Sequence, residues 1–430
     1  MLAPEDHRQI RDQNIETPEA ASARRRLLAL LIAMTAVAPL TLNIIVPAVP
    51  NLAAELNAST DTVQLTISLY LLVLAFSQLA LGPLSDKFGR RPVIIAGLAL
   101  TAVTSAGALL ASSITGLIIA RSLQALGASS GLVVGRAIIR DLYHRERISS
   151  MISLVIAVMM IAQMLSALVG GLLETAFGWR AIFYFITVAS LGVAVLIAVA
   201  LPETRRERSQ SSSFRSDVGN LIRNRAFIGY VLCQVLASQI IFMFAGGGPY
   251  IVVTQMGRTT AEYGAWFATT GFAYLIGNVF CVRFAPRHAL EKLIWFGLAV
   301  QFVGALLNLV WSVAGINQAP LWLFGTQMIV MVANAFVMNN AAAGAISVRP
   351  EAAGTAAGAM GFLQQGIGAL VSQFGAYLGG HSTTTLPLTA AIFALSIACA
   401  SAMFFIVPRR NVVVSEELVK KAEEEESGML

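Results

Sequence analysis

The stretch GPLSDKFGRRP, from Gly82 to Pro92, sets one carboxylate, Asp86, beside three cations, Lys87, Arg90 and Arg91. Carboxylates and guanidinium groups pair through short charge-assisted hydrogen bonds, and Gly82 and Gly89 bracket the cluster with flexible backbone. No nucleophile stands next to a base here, so the chemistry on offer is that of a charge latch. Asp141 and Arg136 lie near the end of a later apolar run, and Arg121 lies inside it. A charge at the bilayer centre costs about 2.5–3.5 kcal/mol on insertion scales, so Arg121 must face a bundle interior or water. The sequence has no G-x-x-x-x-G-K-[ST], H-E-x-x-H or G-x-S-x-G, which argues against an ATPase, a zinc protease or a serine hydrolase. No enzyme is expected, and no cofactor. Cys233, Cys281 and Cys399 fall in apolar runs with neither a disulfide framework nor a zinc spacing, so no metal site is expected either.

Apolar segments must position these charges. The chain is 57% hydrophobic and only 12% charged, whereas soluble domains carry about 25% charged residues. Twelve runs approach the about 20 apolar residues that a bilayer crossing needs: 27–49, 63–81, 93–112, 116–137, 150–173, 181–201, 226–253, 264–284, 293–313, 321–341, 352–378 and 387–407. The expected fold is an all-α membrane protein with twelve transmembrane helices in two six-helix bundles. The expected organisation is an N-terminal tail (1–26), a first bundle (27–201), a polar Ser-rich linker (202–225), a second bundle (226–408) and an acidic tail (409–430). The first run follows a long polar lead and lacks a clear small-residue cleavage site, so it is not expected to be a cleaved signal.

Charge placement gives the orientation. With the N-terminus in the cytoplasm, 25 of the 29 Lys and Arg residues fall in inward loops and tails, and only Arg180 and Arg258 fall in outward loops. This positive-inside bias puts both termini in the cytoplasm, and it explains the net charge of +6 without invoking nucleic acid. Glycine pairs at helical spacing point to close packing in lipid: Gly127, Gly131 and Gly135 in the fourth run, Gly170 and Gly171 in the fifth, Gly354 and Gly358 in the eleventh.

The Gly82–Pro92 stretch resembles the signature between the second and third spans of the major facilitator superfamily, matched at Gly82, Asp86, Gly89, Arg90 and Arg91. RSLQALGASSG, from Arg121 to Gly131 and containing Gln124, is similar to the fourth-span motif of the drug:proton antiporters. QLTISLYLL, RAIIRDLY, FGWRAIF and AGTAAGAMGFLQQGIGAL look like the bicyclomycin/chloramphenicol-resistance exporters of that group. The resemblance implies alternating access, with Asp86, Arg90 and Asp141 as an inner latch, and Arg136 is grouped with it. Asp86 is also expected near the start of the eleventh helix, whose dipole favours an anion. The resemblance further implies a role for Arg121 in proton coupling or substrate binding, a single-chain working unit and a bacterial inner membrane. Expected partners are a small amphipathic neutral or anionic substrate, a proton and membrane lipid.

Three departures stand out. Asn43 occupies a first-span position where such exporters usually carry Asp, Gln163 and Ala167 replace expected fifth-span prolines, and no Asp or Glu lies in the middle of a run. A proton path normally uses buried acids or histidines. Two main readings follow: a drug exporter coupled through Arg121 or surface groups, or a facilitator or exporter of an endogenous metabolite. A transport-inactive sensor would carry an appended soluble domain, and none is visible. Candidate cavity residues are Gln234, Gln239, Asn334, Asn339, Asn340, Gln364 and Gln365, with Tyr70, Tyr250 and Phe362 as aromatic walls.

Overall fold

The computed structural model describes residues 18–142, 145–204, 219, 221–349 and 352–406. The first 17 residues, His144, most of the 202–225 linker and the acidic tail from 407 onward lie outside the described residues. Among the described residues twelve long helices carry the fold: α1 (Pro18–Asn43), α2 (Thr60–Phe88), α3 (Arg90–Leu109), α4 (Ile114–Leu142), α5 (Arg145–Phe177), α6 (Trp179–Ala200), α7 (Arg225–Pro249), α8 (Thr260–Phe284), α9 (Leu290–Val313), α10 (Pro320–Ser347), α11 (Ala353–His381) and α12 (Leu386–Ile406). No strand occurs among the described residues. Helices satisfy their backbone groups internally, as a chain in lipid requires.

Local chemistry sets the boundaries. Ser59, Asn224 and Thr259 accept N–H bonds from residues three positions on, at 3.3, 3.1 and 3.1 Å, and so cap α2, α7 and α8. Gly89 separates α2 from α3 with φ of +100°, a value that side chains other than hydrogen resist. Helix α1 carries Pro39 inside and continues past Asn43 as a 3₁₀ turn (Val46–Ala48) and a short helix (Val49–Glu55). Helix α7 ends at Pro249 in a π-helical segment, Tyr250–Gln255.

The helices repeat one packing plan. In the first six, α1 packs on α4, α5 and α6, α2 on α4, and α3 on α4 and α6. In the last six, α7 packs on α10, α11 and α12, α8 on α10, and α9 on α10 and α12. The halves meet through α2 against α11 and α5 against α8, a reciprocal pair under the same correspondence. The α2–α3 turn marks one end of the bundle, the Gly89 end. Glu174, in the last turn of α5, marks the opposite one, the Glu174 end.

Ten of the helices are long and apolar enough to cross a membrane on their own, among the described residues. The described apolar part of α5 is Ile161–Phe177, and α11 carries Gln364, Gln365 and Gln373 among many glycines, which lowers its hydropathy. Both fill the packing positions of spans in the repeat. Glycines make the closest approaches: a Cβ on Gly127 would strike the Gly97 carbonyl and Thr101, and one on Gly131 the Met34 carbonyl. The eleventh-run pair behaves otherwise. Gly354 and Gly358 have no neighbour within 4 Å of where a Cβ would stand, so that spacing makes no helix contact here. Cys233, Cys281 and Cys399 are free and buried.

Candidate functional site

At the Gly89 end one arginine gathers the charges. Arg90 Nη1 lies 2.6 Å from Asp86 Oδ1, and Arg90 Nε lies 3.1 Å from Asp141 Oδ2. Arg90 Nη1 also donates to Ser85 Oγ at 2.5 Å. The guanidinium thus ties the end of α2 to the end of α4, with its side chain 8% exposed against 33% for Asp86 and 15% for Asp141. Each of these partners belongs to the first six helices. No contact joins Asp86 to the start of α11 among the described residues, and a Cβ at Gly354 or Gly358 would have no neighbour within 4 Å.

Glu203, placed by sequence in the linker, belongs to this cluster. Its carboxylate accepts the N–H groups of Arg90 at 2.9 Å, Arg91 at 3.2 Å and its own neighbour Thr204 at 3.0 Å. It therefore caps the positive end of α3. A Cβ on Gly89 would stand 2.7 Å from Glu203 Oε2, which gives that glycine a second reason to lack a side chain. Arg91 Nη2 donates to the Ala198 carbonyl of α6. An acid directly after the sixth run, among basic residues, was the available signal.

Arg136 is a correction. It is exposed and makes no ion pair or hydrogen bond among the described residues. Five residues separate it from Asp141, about 140° around the helix, so α4 aims the two side chains apart. The turn from Arg121 to Arg136 is about 60°, which leaves both on one broad side of α4.

Arg121 is fully buried with no carboxylate partner. Nη1 donates to the Thr41 carbonyl at 2.9 Å and to Gln124 Oε1, and the guanidinium carbon lies 4.4 Å from the Tyr70 ring centroid. Gln124 is held by its Nε2 bond to Ser105 Oγ at 2.6 Å, and Tyr70 by a 2.5 Å contact to Thr41 Oγ1. Nε and Nη2 of Arg121 have no partner. The ring face and carbonyl dipole hold the cation, while two donors stay free for an acceptor. Tyr70 is thus the floor under Arg121, buried in the first half, and not a cavity wall. Asn43 is buried too, and its amide donates to the Pro39 carbonyl at 2.9 Å.

In the second half, Gln234 Nε2 donates to Gln364 Oε1 at 3.0 Å, Gln239 Nε2 to the Val235 carbonyl at 2.8 Å, and Asn334 Nδ2 to the Ala237 carbonyl at 3.0 Å. Gln234, Gln239, Asn334 and Gln365 each keep an unpartnered buried oxygen. Helices α7, α10 and α11 thus carry unpartnered acceptors in the second half, as α4 carries the unpartnered Arg121 donors in the first. Asn339 is exposed and pairs with Asn278, whereas Asn340 is buried against Cys281 and the Phe336 carbonyl. Phe362 meets Phe76 edge-on at 5.3 Å across the two halves. Tyr250 is no cavity wall: it is buried at the Glu174 end, its hydroxyl donating to the Thr60 carbonyl at 3.3 Å.

Contacts between the halves crowd toward the Glu174 end. Gln64 Nε2 donates to Ser372 Oγ at 2.9 Å, Ser68 Oγ to Gln373 Oε1 at 2.9 Å, and Gln373 Nε2 to the Asp61 carbonyl at 2.8 Å. Across α5 and α8, Glu174 takes hydrogen bonds from Asn51 Nδ2 at 2.6 Å and from Thr260 Oγ1. Gly171 and Gly264 let these two helices touch backbone to backbone. On α2 and α11 contact persists to Gln78 and Gly361, where a Cβ would stand 2.9 Å from Gln78 Oε1, and then Gly82, Gly354 and Gly358 are free of neighbours. The bundle is fastened at one end and its α2–α11 seam parts toward the other.

Known proteins share this sequence and shape. The family model described as Major Facilitator Superfamily matches residues 31–373. The chain is 30% identical to multidrug resistance protein D of Escherichia coli K12 over 80% of its length and 87% of that protein's. It is also 30% identical to a chloramphenicol resistance protein of Pseudomonas aeruginosa, over 67% of this chain and 70% of that one. Among solved structures, the D-xylose-proton symporter aligns with a TM-score of 0.72 at 14% identity, covering 89% of this chain and 98% of its own. With its repeated six-helix packing, its twelve long helices and a family match spanning most of its length, the chain belongs to the Major Facilitator Superfamily.

Proposed function

We propose that the protein is a secondary exporter of small amphipathic drugs, neutral or anionic, working by alternating access as a single chain in a bacterial inner membrane. The observation that carries this reading is a bundle fastened at its Glu174 end and parted along α2 and α11 at its Gly89 end, with unpartnered Arg121 donors and glutamine and asparagine acceptors between. The basic loops support a cytoplasmic position for both termini and for the Gly89 end. Substrate then enters from the cytoplasm, and the Asp86–Arg90–Asp141 cluster serves as the inner latch when the halves rock the other way. A carboxylate, carbonyl or nitro oxygen on the substrate meets the free Nε and Nη2 of Arg121. Resistance proteins among the relatives favour drugs as cargo.

Membrane-impermeant cations do not fit beside an uncompensated arginine. A second reading, a facilitator of an endogenous metabolite, rests on Asn43, whose amide cannot carry a proton. Accumulation of a phenicol in cells stripped of their own exporters decides between them. Expression should lower accumulation while the proton gradient stands and lose that effect when the gradient collapses. Equal acceleration of equilibration in both states would instead establish the facilitator, and no change in either would remove phenicols as cargo.

A further inference from the structure

Among the carboxylates of the described helices, Glu174 is the one that joins the two halves from a buried position, at 9% exposure. It sits one turn beyond Gly170 and Gly171. Those glycines bring α5 against the Ile44 carbonyl on one side and the Thr260 backbone on the other. Thr260 is the first residue of α8, so the carboxylate meets the positive end of that helix. The surrounding hydrogen bonds fix their own direction. Ala261 N–H donates to Thr175 Oγ1 at 3.2 Å, Thr175 and Thr260 hydroxyls lie 2.8 Å apart, and Thr260 donates to Glu174 Oε2. With Thr260 committed to the carboxylate, Thr175 must donate to Thr260. Asn51 Nδ2 fills the other oxygen at 2.6 Å. An ionised carboxylate is an acceptor only, and every neighbour here donates toward it.

We propose that Glu174 is the lock of the extracytoplasmic gate, its carboxylate tying the end of α5 to the start of α8 when that gate is shut. This rests on the alternating-access reading above and on its assignment of the Glu174 end to the outer face. Loss of the carboxylate would strand Asn51 Nδ2 and leave Thr260 Oγ1 only the Gly171 carbonyl at 3.4 Å, so it would favour opening.

The other charged groups at this end pair elsewhere. Glu55, on the short helix with Asn51, binds Arg180 of α6 at 2.6 Å, and Glu262 of α8 lies 3.9 Å from Arg258. Asp61 of α2 lies 3.8 Å from His381 of α11, across the second junction between the halves. The test is made without the imidazole, so that this second tie does not mask the first.

The reporter is Ser372→Cys in a His381→Gln background. Ser372 is buried in the α2–α11 junction, and the native cysteines are buried. A membrane-impermeant maleimide is applied to right-side-out and to inverted vesicles. In right-side-out vesicles, Glu174→Gln should raise reactivity about tenfold, the scale of losing hydrogen bonds to a charged group. Thr260→Val should raise it similarly, and Thr260→Ser should restore the parent value, which controls for misfolding. Unchanged reactivity in both Glu174→Gln and Thr260→Val would overturn the lock and leave the transport reading standing. A rise confined to inverted vesicles would overturn the assignment of the ends, and the lock with it.

Discussion

Asp86 and Asp141 share one arginine yet differ in exposure, and that difference ranks their variants. Removing one partner of a buried ion pair costs about 3–5 kcal/mol because it strands the other charge. Asp141 is the more enclosed of the two, at 15% exposure against 33%, so Asp141→Asn should disturb the Gly89 end more than Asp86→Asn. Asp86→Asn should lower transport several-fold while membrane abundance stays at the parent level. Comparing initial uptake with the amount of inserted protein checks both statements. Asn43 provides a separate test. Asn43→Asp should steepen the dependence of transport on the proton gradient, read from uptake over a pH series, because it puts an ionisable group in the first span where the chain has an amide. Sequence reading found Arg90, Arg121 and Gln124 because order within a short motif fixes their neighbours. It missed Glu203 and Thr260, since a capping carboxylate and a hydroxyl across a helix junction draw on residues more than eighty positions away. Tyr70 and Asn340 read as cavity residues because polarity and aromaticity signal an interior without saying which one.

Helix contacts explain why similar glycine spacings have different fates. On α4, Gly131 lies directly against the Met34 carbonyl of α1, so Gly131→Ala must push two backbones apart. Overpacking of this kind costs about 1–3 kcal/mol, and the variant should melt at lower temperature in detergent. Gly354→Ala meets nothing within 4 Å and replaces a poor helix former, so it should leave melting unchanged or raise it. A result in which both variants lose equal stability would contradict the packing described. The apolar runs were legible from hydropathy alone. Which face of each helix meets which neighbour was not, because a helix apolar on every side carries no periodic signal.

At the scale of the molecule, closure at one end and parting of α2 from α11 at the other make rocking testable. Gln64 and Ser372 touch across the halves, so a Gln64→Cys/Ser372→Cys pair joined by a short cross-linker should hold the Glu174 end shut. Transport should fall to background and return when a cleavable linker is cut. Continued transport in the cross-linked protein would exclude rocking about this junction. The repeat in packing also gives that junction a counterpart. Thr60 opens α2 against Gly380 of α11, as Thr260 opens α8 against Gly171 of α5. The two seams share a shape but not a chemistry: a carboxylate fastens one, while an amide ladder and the Asp61–His381 pair fasten the other. A repeated scaffold can thus keep the shape of its junctions constant while each copy is held shut by its own set of side chains.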